Sequence, residues 1–349
     1  MIKAKSYAAQ NDKSALAPWS FDRRDVGDND VLIDIAYCGV CHSDIHQARN
    51  EWGNSIFPMV PGHEIVGIVA KTGKNVKKFK AGDRVGVGCL VDSCRTCPQC
   101  RRGLEQFCPE MSVTYNGYEQ DKKTPTFGGY SDVIVTHQDF VLSIPDNLPL
   151  DAAAPLLCAG ITTYSPLRHW KIGKGHKVGI IGLGGLGHMG VKFASSFGAE
   201  TFVITTSASK AADAKRLGAS GVVVSKDEAD MKKHAGSFDF LLNTVAATYD
   251  PGLYLNLLKV DGTMAVVGAP DQPLNLHLFS VIMGRKTLAG SLIGGIAETQ
   301  EMLDYCGKHN IVSDVEVIPM QKINEAYERM IRSDVRYRFS IDMASLKAA

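Results

Sequence analysis

The chain has 349 residues, of which 45% are hydrophobic and 21% charged, and its formal net charge is +1. This length and balance are typical of a globular protein of two domains, and the near-zero charge argues against nucleic acid or a membrane surface as a partner. The N-terminus has no signal-peptide core and no apolar run approaches the length of a spanning helix, so we expect a cytoplasmic protein.

The first half of the chain predicts short β-strands. β-Branched runs at 31–36, 64–69 and 132–135 are bounded by turn residues such as those at 81–83. The pattern favours an irregular, mostly antiparallel β domain.

From residue 177 onward, strands and helices alternate. The predicted strands are 178–181, 201–205, 221–224, 238–242, 263–267 and 287–291, and the first predicted helices are 186–197 and 209–217. Such alternation predicts a doubly wound parallel sheet with a switch point after its first strand. A helix near 323–331 and a strand near 337–342 are expected to rejoin the first domain.

A glycine-rich turn links the first of these strands to its helix, which is the context of a dinucleotide-binding turn. Gly182 permits a tight turn, Gly184 lets a pyrophosphate approach, and Gly187 lets the helix pack against the strand. The helix N-terminus offers free N–H groups to the phosphate. The predicted cofactor-binding residues of this turn are Gly182, Gly184, Gly185, Leu186 and Gly187.

The residues after the second strand indicate which nicotinamide cofactor binds. An NAD site places Asp or Glu there to bond the ribose 2′-hydroxyl, but this chain has Thr206 and Ser207, followed by Lys210. Neutral hydroxyls and a nearby cation favour the 2′-phosphate of NADP(H). The alternative is that Ser207 or Ser209 only caps the next helix and that Lys210 is a solvated surface residue.

Four cysteines predict a closed metal site in a lobe at about residues 89–110. Two-residue gaps let neighbouring thiolates face one point, and four thiolates without an open position form a structural zinc site. A disulfide framework suits small secreted chains better than this one. A nucleic-acid-binding zinc ribbon would need a longer gap between two cysteine pairs. The predicted ligands are Cys94, Cys97, Cys100 and Cys108.

A second possible metal group is scattered along the chain, at Cys41, His63 and Cys158. Spacing alone does not join these positions. Cys38 and Cys41 have the spacing of a redox pair without its usual context. The remaining cysteines, Cys38, Cys89 and Cys306, are expected to be small buried hydrophobes.

Ordered motifs along nearly the whole chain resemble those of the zinc-dependent medium-chain alcohol dehydrogenases, most closely their cinnamyl alcohol dehydrogenase branch. The resemblance implies a GroES-like catalytic domain at 1–155 and 295–349 and a Rossmann domain at 156–294. The motifs are CGVCHSDIH at 38–46, PGHEIVG at 61–67, VGVGCLVDSC at 85–94, LLCAGITTY at 156–164, GLGGLGHMGVK at 182–192 and DVRYRF at 334–339.

The same resemblance implies a catalytic zinc held by Cys41, His63 and Cys158, with a fourth position open. Glu64 is expected beside the metal, where it could replace a water molecule. Asp44 is expected to orient His63 through its other ring nitrogen.

The resemblance also assigns the proton path and the rest of the cofactor site. Ser43 is expected to contact the reacting oxygen, and His46 to pass a proton to solvent through the cofactor ribose. His42 and Arg336 are expected near the pyrophosphate. The residues implied at the nicotinamide half are Thr162, Val245, Gly268 and Ile293.

These expectations describe an oxidoreductase that transfers hydride between NADPH and aromatic or medium-chain aldehydes and binds two zinc ions. The alternatives are a polyol or amino-alcohol dehydrogenase of the same superfamily and a non-catalytic zinc protein that senses NADP. The resemblance suggests a homodimer joined through the strand near 287–293. Candidates for an apolar substrate pocket are Trp52, Leu90, Phe127 and Leu278.

Overall fold

The computed structural model describes residues 1–268, 270 and 272–347. The chain forms two units, Met1–Ile161 with Gly294–Ala349, and Thr162–Ile293. The functional domain limits drawn from the sequence stay predictions.

The first unit starts with short strands. They are β1 (Ile2–Ala8), β2 (Ala17–Arg23), β3 (Asp30–Gly39), β4 (Ile65–Thr72), β5 (Arg84–Val87), β6 (Leu90–Asp92), β7 (Ser112–Val113), β8 (Gly117–Tyr118), β9 (Pro125–Thr126), β10 (Val133–His137) and β11 (Leu142–Ser143). Helix α1 (His42–Ala48) follows β3, and helix α2 (Leu150–Ala153) follows β11. Helix α3 (Ala159–His169) continues into the second unit.

The second unit alternates strands and helices as predicted. Its elements are β12 (Lys177–Ile181), α4 (Gly187–Ser196), β13 (Glu200–Thr205), α5 (Ala211–Arg216), β14 (Gly221–Val224), α6 (Glu228–Lys233), β15 (Phe238–Asn243), α7 (Pro251–Leu255), β16 (Leu258–Val266), α8 (Phe279–Ile282) and β17 (Thr287–Gly290).

All six strands of the second unit form one parallel sheet in the order β14-β13-β12-β15-β16-β17. Strand β12 lies between β13 and β15, so its carboxyl end is the topological switch point where such sheets bind ligands. Apolar side chains such as Phe238, Leu241 and Met264 are fully buried in the core of this unit. The predicted doubly wound fold is confirmed.

The chain then returns to the first unit through α9 (Ile296–His309), β18 (Val315–Pro319), α10 (Ile323–Ile331), β19 (Arg338–Asp342) and α11 (Ala344–Lys347). The main sheet of this unit has the order β11-β5-β4-β3-β19-β18, and β10 also pairs with β3. Its pairings are antiparallel except for the parallel pair β18 and β19. Buried Val31, Ile33 and Ile35 alternate along β3, which is the period-2 pattern of a strand with one face in a core.

None of the described helices combines the length and the apolar composition that crossing a bilayer requires.

Candidate active site

The four-cysteine lobe has the geometry of a tetrahedral thiolate site. The Sγ atoms of Cys94 and Cys100 are 3.9 Å apart, and those of Cys97 and Cys100 and of Cys94 and Cys108 are each 3.5 Å apart. Thiolates at zinc bonding distance on a tetrahedron are about 3.8 Å apart. Backbone N–H groups of Cys97, Cys100 and Glu110 donate to three of the sulfur atoms. The residues fit a closed structural zinc site.

The fold gathers a second metal-ligand group from distant parts of the first unit. The ligand atoms of Cys41, His63, Glu64 and Cys158 all lie within 4.8 Å of one another. Cys41 caps α1, the pair His63 and Glu64 comes just before β4, and Cys158 comes just before α3. The Sγ atoms of Cys41 and Cys158 are 3.9 Å apart, again the spacing of two thiolates on one zinc ion.

An unpartnered atom tests whether this group fits a metal. The Nε2 atom of His63 is buried and has no hydrogen-bond partner in the structure. A buried polar atom without a partner costs about 1–3 kcal/mol, and a metal ion at the thiolates would satisfy it. The donor set is one of the known catalytic zinc shells.

Glu64 pairs with an arginine that the sequence analysis did not select. Its Oε1 accepts a hydrogen bond from the guanidinium of Arg338 on β19, while its Oε2 is buried without a partner. Burial lowers the pKa of Arg338, but the Glu64 carboxylate raises it and the net direction is upward, so Arg338 stays charged. The sequence signal that could have identified Arg338 was a cation inside the buried strand Arg338–Asp342. Arg336, which the resemblance placed near the pyrophosphate, also lies in the first unit.

Asp44 connects the backbone around two of the metal ligands. Its carboxylate accepts hydrogen bonds from the N–H of Cys41 at 2.8 Å, from the N–H of Gly62 at 3.1 Å and from the Tyr130 hydroxyl at 3.1 Å. Its Oδ1 is 3.7 Å from Nδ1 of His63, which is longer than a hydrogen bond. Burial raises the pKa of Asp44, and the hydrogen bonds to its carboxylate, including one with Tyr115, favour its charged form.

The predicted proton-path residues lie on α1. The Oγ of Ser43 is 3.7 Å from Sγ of Cys41. One helical turn further, Nδ1 of His46 is hydrogen-bonded to the carboxylate of Glu51, a residue that the sequence analysis missed. The His46 ring stacks on Trp52 at 4.9 Å. Nothing in the local sequence pattern marked Glu51, because it follows the helix in an irregular turn.

His42 begins α1, and burial lowers its pKa. The rings of His42 and His46 are 6.3 Å apart. The role of His42 at the pyrophosphate stays a prediction.

The three cysteines expected in the core do not behave alike. Cys38 and Cys306 are fully buried, as expected. The expectation for Cys89 was wrong, because it is only partly buried and its thiol interacts with that of Cys158. The loop after β5 brings it there, with its Sγ 4.0 Å from the carbonyl oxygen of Leu157.

The candidate pocket residues differ in their burial. Trp52 and Leu278 are exposed, and Leu90 is buried. Phe127 is half-buried and packs against the core of the first unit, with its ring 4.5 Å from that of Phe21.

The glycine turn lies at the carboxyl end of β12, where the switch point is. The N–H of Gly182 bonds the carbonyl of Ile204 on β13 at 2.9 Å. Gly184 is exposed. A Cβ at Gly187 would lie 2.1 Å from the carbonyl oxygen of Gly182, so α4 packs against the turn as closely as the sequence analysis expected. Gly185 and Leu186 complete the turn before α4.

The residues predicted to favour NADP(H) over NAD(H), Thr206, Ser207 and Lys210, follow the end of β13. Thr206 and Ser207 are exposed, and Oγ of Ser207 accepts a hydrogen bond from the N–H of Ser209. The Nζ of Lys210 donates to the carbonyl of Leu183 at 3.1 Å. Ser207 therefore caps the next segment while Lys210 places a cation at the glycine turn. The capping role and the cofactor-binding role that the sequence offered for these residues are compatible.

The other predicted cofactor residues have the following positions. A Cβ at Gly182 would be 3.0 Å from the side chain of Val245, and a Cβ at Gly268 would be 2.4 Å from the carbonyl oxygen of Val245. These three residues therefore meet at the carboxyl edge of the sheet. Thr162 is buried on α3, and Ile293 ends the second unit.

The fold and the two metal groups define a class of protein, a zinc-binding dehydrogenase. The alcohol dehydrogenase GroES-like domain family matches residues 27–146, and the zinc-binding dehydrogenase family matches residues 185–308. The chain belongs to the zinc-binding alcohol dehydrogenase family.

Relatives match along the full length. The chain is 53% identical over 350 residues to NADP-dependent alcohol dehydrogenase C 1 of Mycolicibacterium smegmatis, with all of both chains covered. It is 54% identical over 348 residues to aldehyde reductase YahK of Escherichia coli, with 99% of each chain covered. The solved structure of CAD from Helicobacter pylori, complexed with NADP(H), matches with a TM-score of 0.93 and 44% identity over 98% of this chain and 99% of that one.

Proposed function

We propose that the protein is an NADP(H)-dependent zinc alcohol dehydrogenase that reversibly reduces aromatic or medium-chain aldehydes. The observation that carries this proposal is the buried Cys41, His63 and Cys158 group with its unpartnered imidazole nitrogen. The same chain carries a dinucleotide turn followed by a strand end without a carboxylate. Full-length relatives named for NADP-dependent alcohol dehydrogenase and aldehyde reductase activities support it.

When bound, zinc supplies a Lewis acid that polarises the aldehyde oxygen, and NADPH supplies the hydride. Cys41, His63 and Cys158 would hold the metal and leave one position for substrate. Glu64 can offer its unpartnered Oε2 to the metal, while its other oxygen, Oε1, is hydrogen-bonded to Arg338. The pair lets one carboxylate serve two cations in a buried site.

The side chains of α1 deliver the proton that completes reduction. Ser43 lies beside the ligand Cys41 and can donate from its hydroxyl to the reacting oxygen. His46 lies one helical turn further and can restore that proton as a general acid. Its Nδ1 bond to Glu51 fixes the ring and offers a carboxylate as the next acceptor.

Cofactor choice depends on charge at the end of β13. A carboxylate there would repel a 2′-phosphate, but Thr206 and Ser207 are neutral hydroxyl residues. Lys210 adds a cation at the glycine turn. Together these residues favour NADP(H) over NAD(H).

The test compares initial rates of NADPH and NADH oxidation with cinnamaldehyde, using wild type and Cys158→Ala. We expect NADPH-dependent turnover in the wild type only, with NADPH still bound by the variant. Turnover by Cys158→Ala would contradict the zinc mechanism, and turnover of sorbitol in place of aldehydes would favour a polyol dehydrogenase. Equal rates with both cofactors would refute only the cofactor preference assigned to Thr206, Ser207 and Lys210.

We further propose a homodimer. Strand β17 pairs only with β16 among the described strands, and an open edge can extend a sheet across two chains. Exposed apolar residues lie in β17 and in the segment that precedes it in the chain: Leu278, Phe279, Ile282, Met283 and Leu288. Light scattering should give the mass of two chains for wild type and of one chain for Leu288→Arg; a monomeric wild type would refute the dimer.

We also propose a cytoplasmic location. All nine cysteines are free, and both thiolate groups require reduced sulfur, which the cytosol maintains. Cell fractionation that finds the protein outside the cytosol would contradict this.

A further inference from the structure

A second segment of the first unit lies directly against the loop that carries His63. Three backbone hydrogen bonds join the two segments, with lengths of 2.8, 2.8 and 3.0 Å. They run from the N–H groups of Gly128, Gly129 and Tyr130 to the carbonyl groups of Val60, Gly62 and Pro61, respectively. The residues just before His63 are therefore fixed by residues that follow them by almost seventy positions.

The two segments pack without spare room. A Cβ at Gly128 would lie 2.3 Å from the carbonyl oxygen of Pro61, and a Cβ at Gly62 would lie 2.8 Å from the ring of Tyr130. Any displacement of one segment must therefore move the other.

Tyr130 also reaches the carboxylate that organises the metal ligands. Its hydroxyl donates to Oδ2 of Asp44, and the hydroxyl of Tyr327 lies 3.5 Å behind it. The same carboxylate accepts from the N–H of Cys41 and of Gly62. The fully buried carboxylate of Asp44 is therefore hydrogen-bonded to the backbone of the metal ligand Cys41 and to the backbone of Gly62, which precedes His63. It also accepts a hydrogen bond from Tyr130.

We propose that Tyr130 is a positioning residue for the catalytic metal centre. This inference rests on the catalytic zinc of the proposed function. Through its backbone, Tyr130 holds the His63 loop, and through its hydroxyl, it is one of the donors to Asp44, whose carboxylate also interacts with Tyr115. Without the hydroxyl, a buried carboxylate lacks one of its donors and can shift, and both Cys41 and the His63 loop shift with it.

The test measures zinc release from the holoenzyme by excess chelator, with a zinc indicator, in wild type, Tyr130→Phe and Tyr254→Phe. Changes to residues that support metal ligands typically cost 10–100-fold in metal affinity. We expect the catalytic zinc of Tyr130→Phe to leave at least about tenfold faster, while the structural zinc leaves at the wild-type rate. Cys158→Ala lacks a ligand of the catalytic site, so the zinc release that remains in this variant is that of the structural site. Tyr254→Phe removes another buried tyrosine hydroxyl, in the second unit, and should match wild type.

A second readout is the visible absorption of Co²⁺ in the catalytic site, which reports ligand geometry. It should shift in Tyr130→Phe and stay unchanged in Tyr254→Phe. Unchanged zinc release and an unchanged cobalt spectrum would overturn the role of Tyr130, as would equal acceleration of both zinc phases.

If Tyr130→Phe does not fold, Tyr327→Phe replaces it. That variant weakens the donor one step further back, so the catalytic zinc should leave faster by a smaller factor, and an unchanged rate would overturn the inference. A wild type that binds a single zinc per chain would overturn both this inference and the proposed function. Unaltered zinc release in a fully active Tyr130→Phe enzyme would overturn this inference alone.

Discussion

Two glycines of the same turn should respond in opposite ways to one added methyl group. In Gly184→Ala the new Cβ meets nothing within 4 Å, and the φ angle of Gly184 is outside the left-handed region. In Gly187→Ala the new Cβ falls 2.1 Å from the carbonyl oxygen of Gly182 and 2.9 Å from its carbon. The first change therefore leaves the protein packing intact, and the second does not.

The magnitudes follow from these distances. Alanine at a compatible position stabilises a fold by about 0.4–1 kcal/mol, because the unfolded chain loses freedom. At Gly187, backbone atoms must separate by more than about 1 Å to reach ordinary contact, and such overpacking costs about 1–3 kcal/mol. The affinity for the cofactor should fall in Gly184→Ala although the stability does not, since the added methyl group occupies the surface that a pyrophosphate approaches.

Urea unfolding gives the free energy of each variant, and quenching of protein fluorescence by NADPH gives its Kd. We expect Gly184→Ala to be at least as stable as wild type and to bind NADPH at least about tenfold more weakly, a loss of about 1.4 kcal/mol. We expect Gly187→Ala to be less stable than wild type. Wild-type affinity in Gly184→Ala would refute the close approach of the cofactor, and wild-type stability in Gly187→Ala would refute the packing argument.

Three further changes test the first unit. Arg338→Met leaves Glu64 buried without its cation and should lower the unfolding free energy by about 3–5 kcal/mol; a loss below 1 kcal/mol in urea titration would show that the pair is dispensable. Cys97→Ala should reduce bound zinc from two to one per chain and lower Tm, since a closed zinc site contributes folding energy; metal analysis that still finds two zinc ions would contradict this. The Thr124 hydroxyl, with backbone N–H groups, lowers the pKa of Asp121 from 3.8 to about 2. The stabilisation is therefore complete above the unfolded pKa and is lost only as pH falls toward 2. Asp121→Asn should thus lower stability by a constant amount from about pH 5 to 8, and a difference that varies within that range would contradict the assignment.

Local spacing was enough to predict the parts of the site that are contiguous in the chain. The four-cysteine lobe and the glycine turn each lie within a short segment, so their ligands or backbone groups converge whatever the rest of the fold does. The six strands of the second unit were predictable for the same reason, because each is a short apolar run between turn residues.

Groups assembled across the sheet were not predictable from spacing. Cys41, His63 and Cys158 were joined only by resemblance, and the interactions of Glu51, Cys89 and Arg338 were missed. Each depends on which strand or loop becomes a neighbour, and a single sequence does not show this.

One helix that was not predicted has a clear local sequence pattern. Helix α9 buries Thr299, Met302, Leu303 and Cys306, which is a helical i, i+3, i+4, i+7 pattern. That periodicity was present in the sequence and predicts the helix.

The first unit is discontinuous in sequence, and this affects the order in which a growing chain can mature. Strand β3 acquires its neighbour β19 through the pairs Gly39 with Ser340, Cys38 with Ile341 and Tyr37 with Asp342. Strand β10 covers the first part of the same edge, so only the end of β3 at residues 37–39 stays open until about 300 further residues have left the ribosome. The second unit is one uninterrupted segment and can fold during that interval. Because β19 also brings Arg338 to Glu64, the candidate metal-ligand group gains its buried counter-charge only at the end of translation.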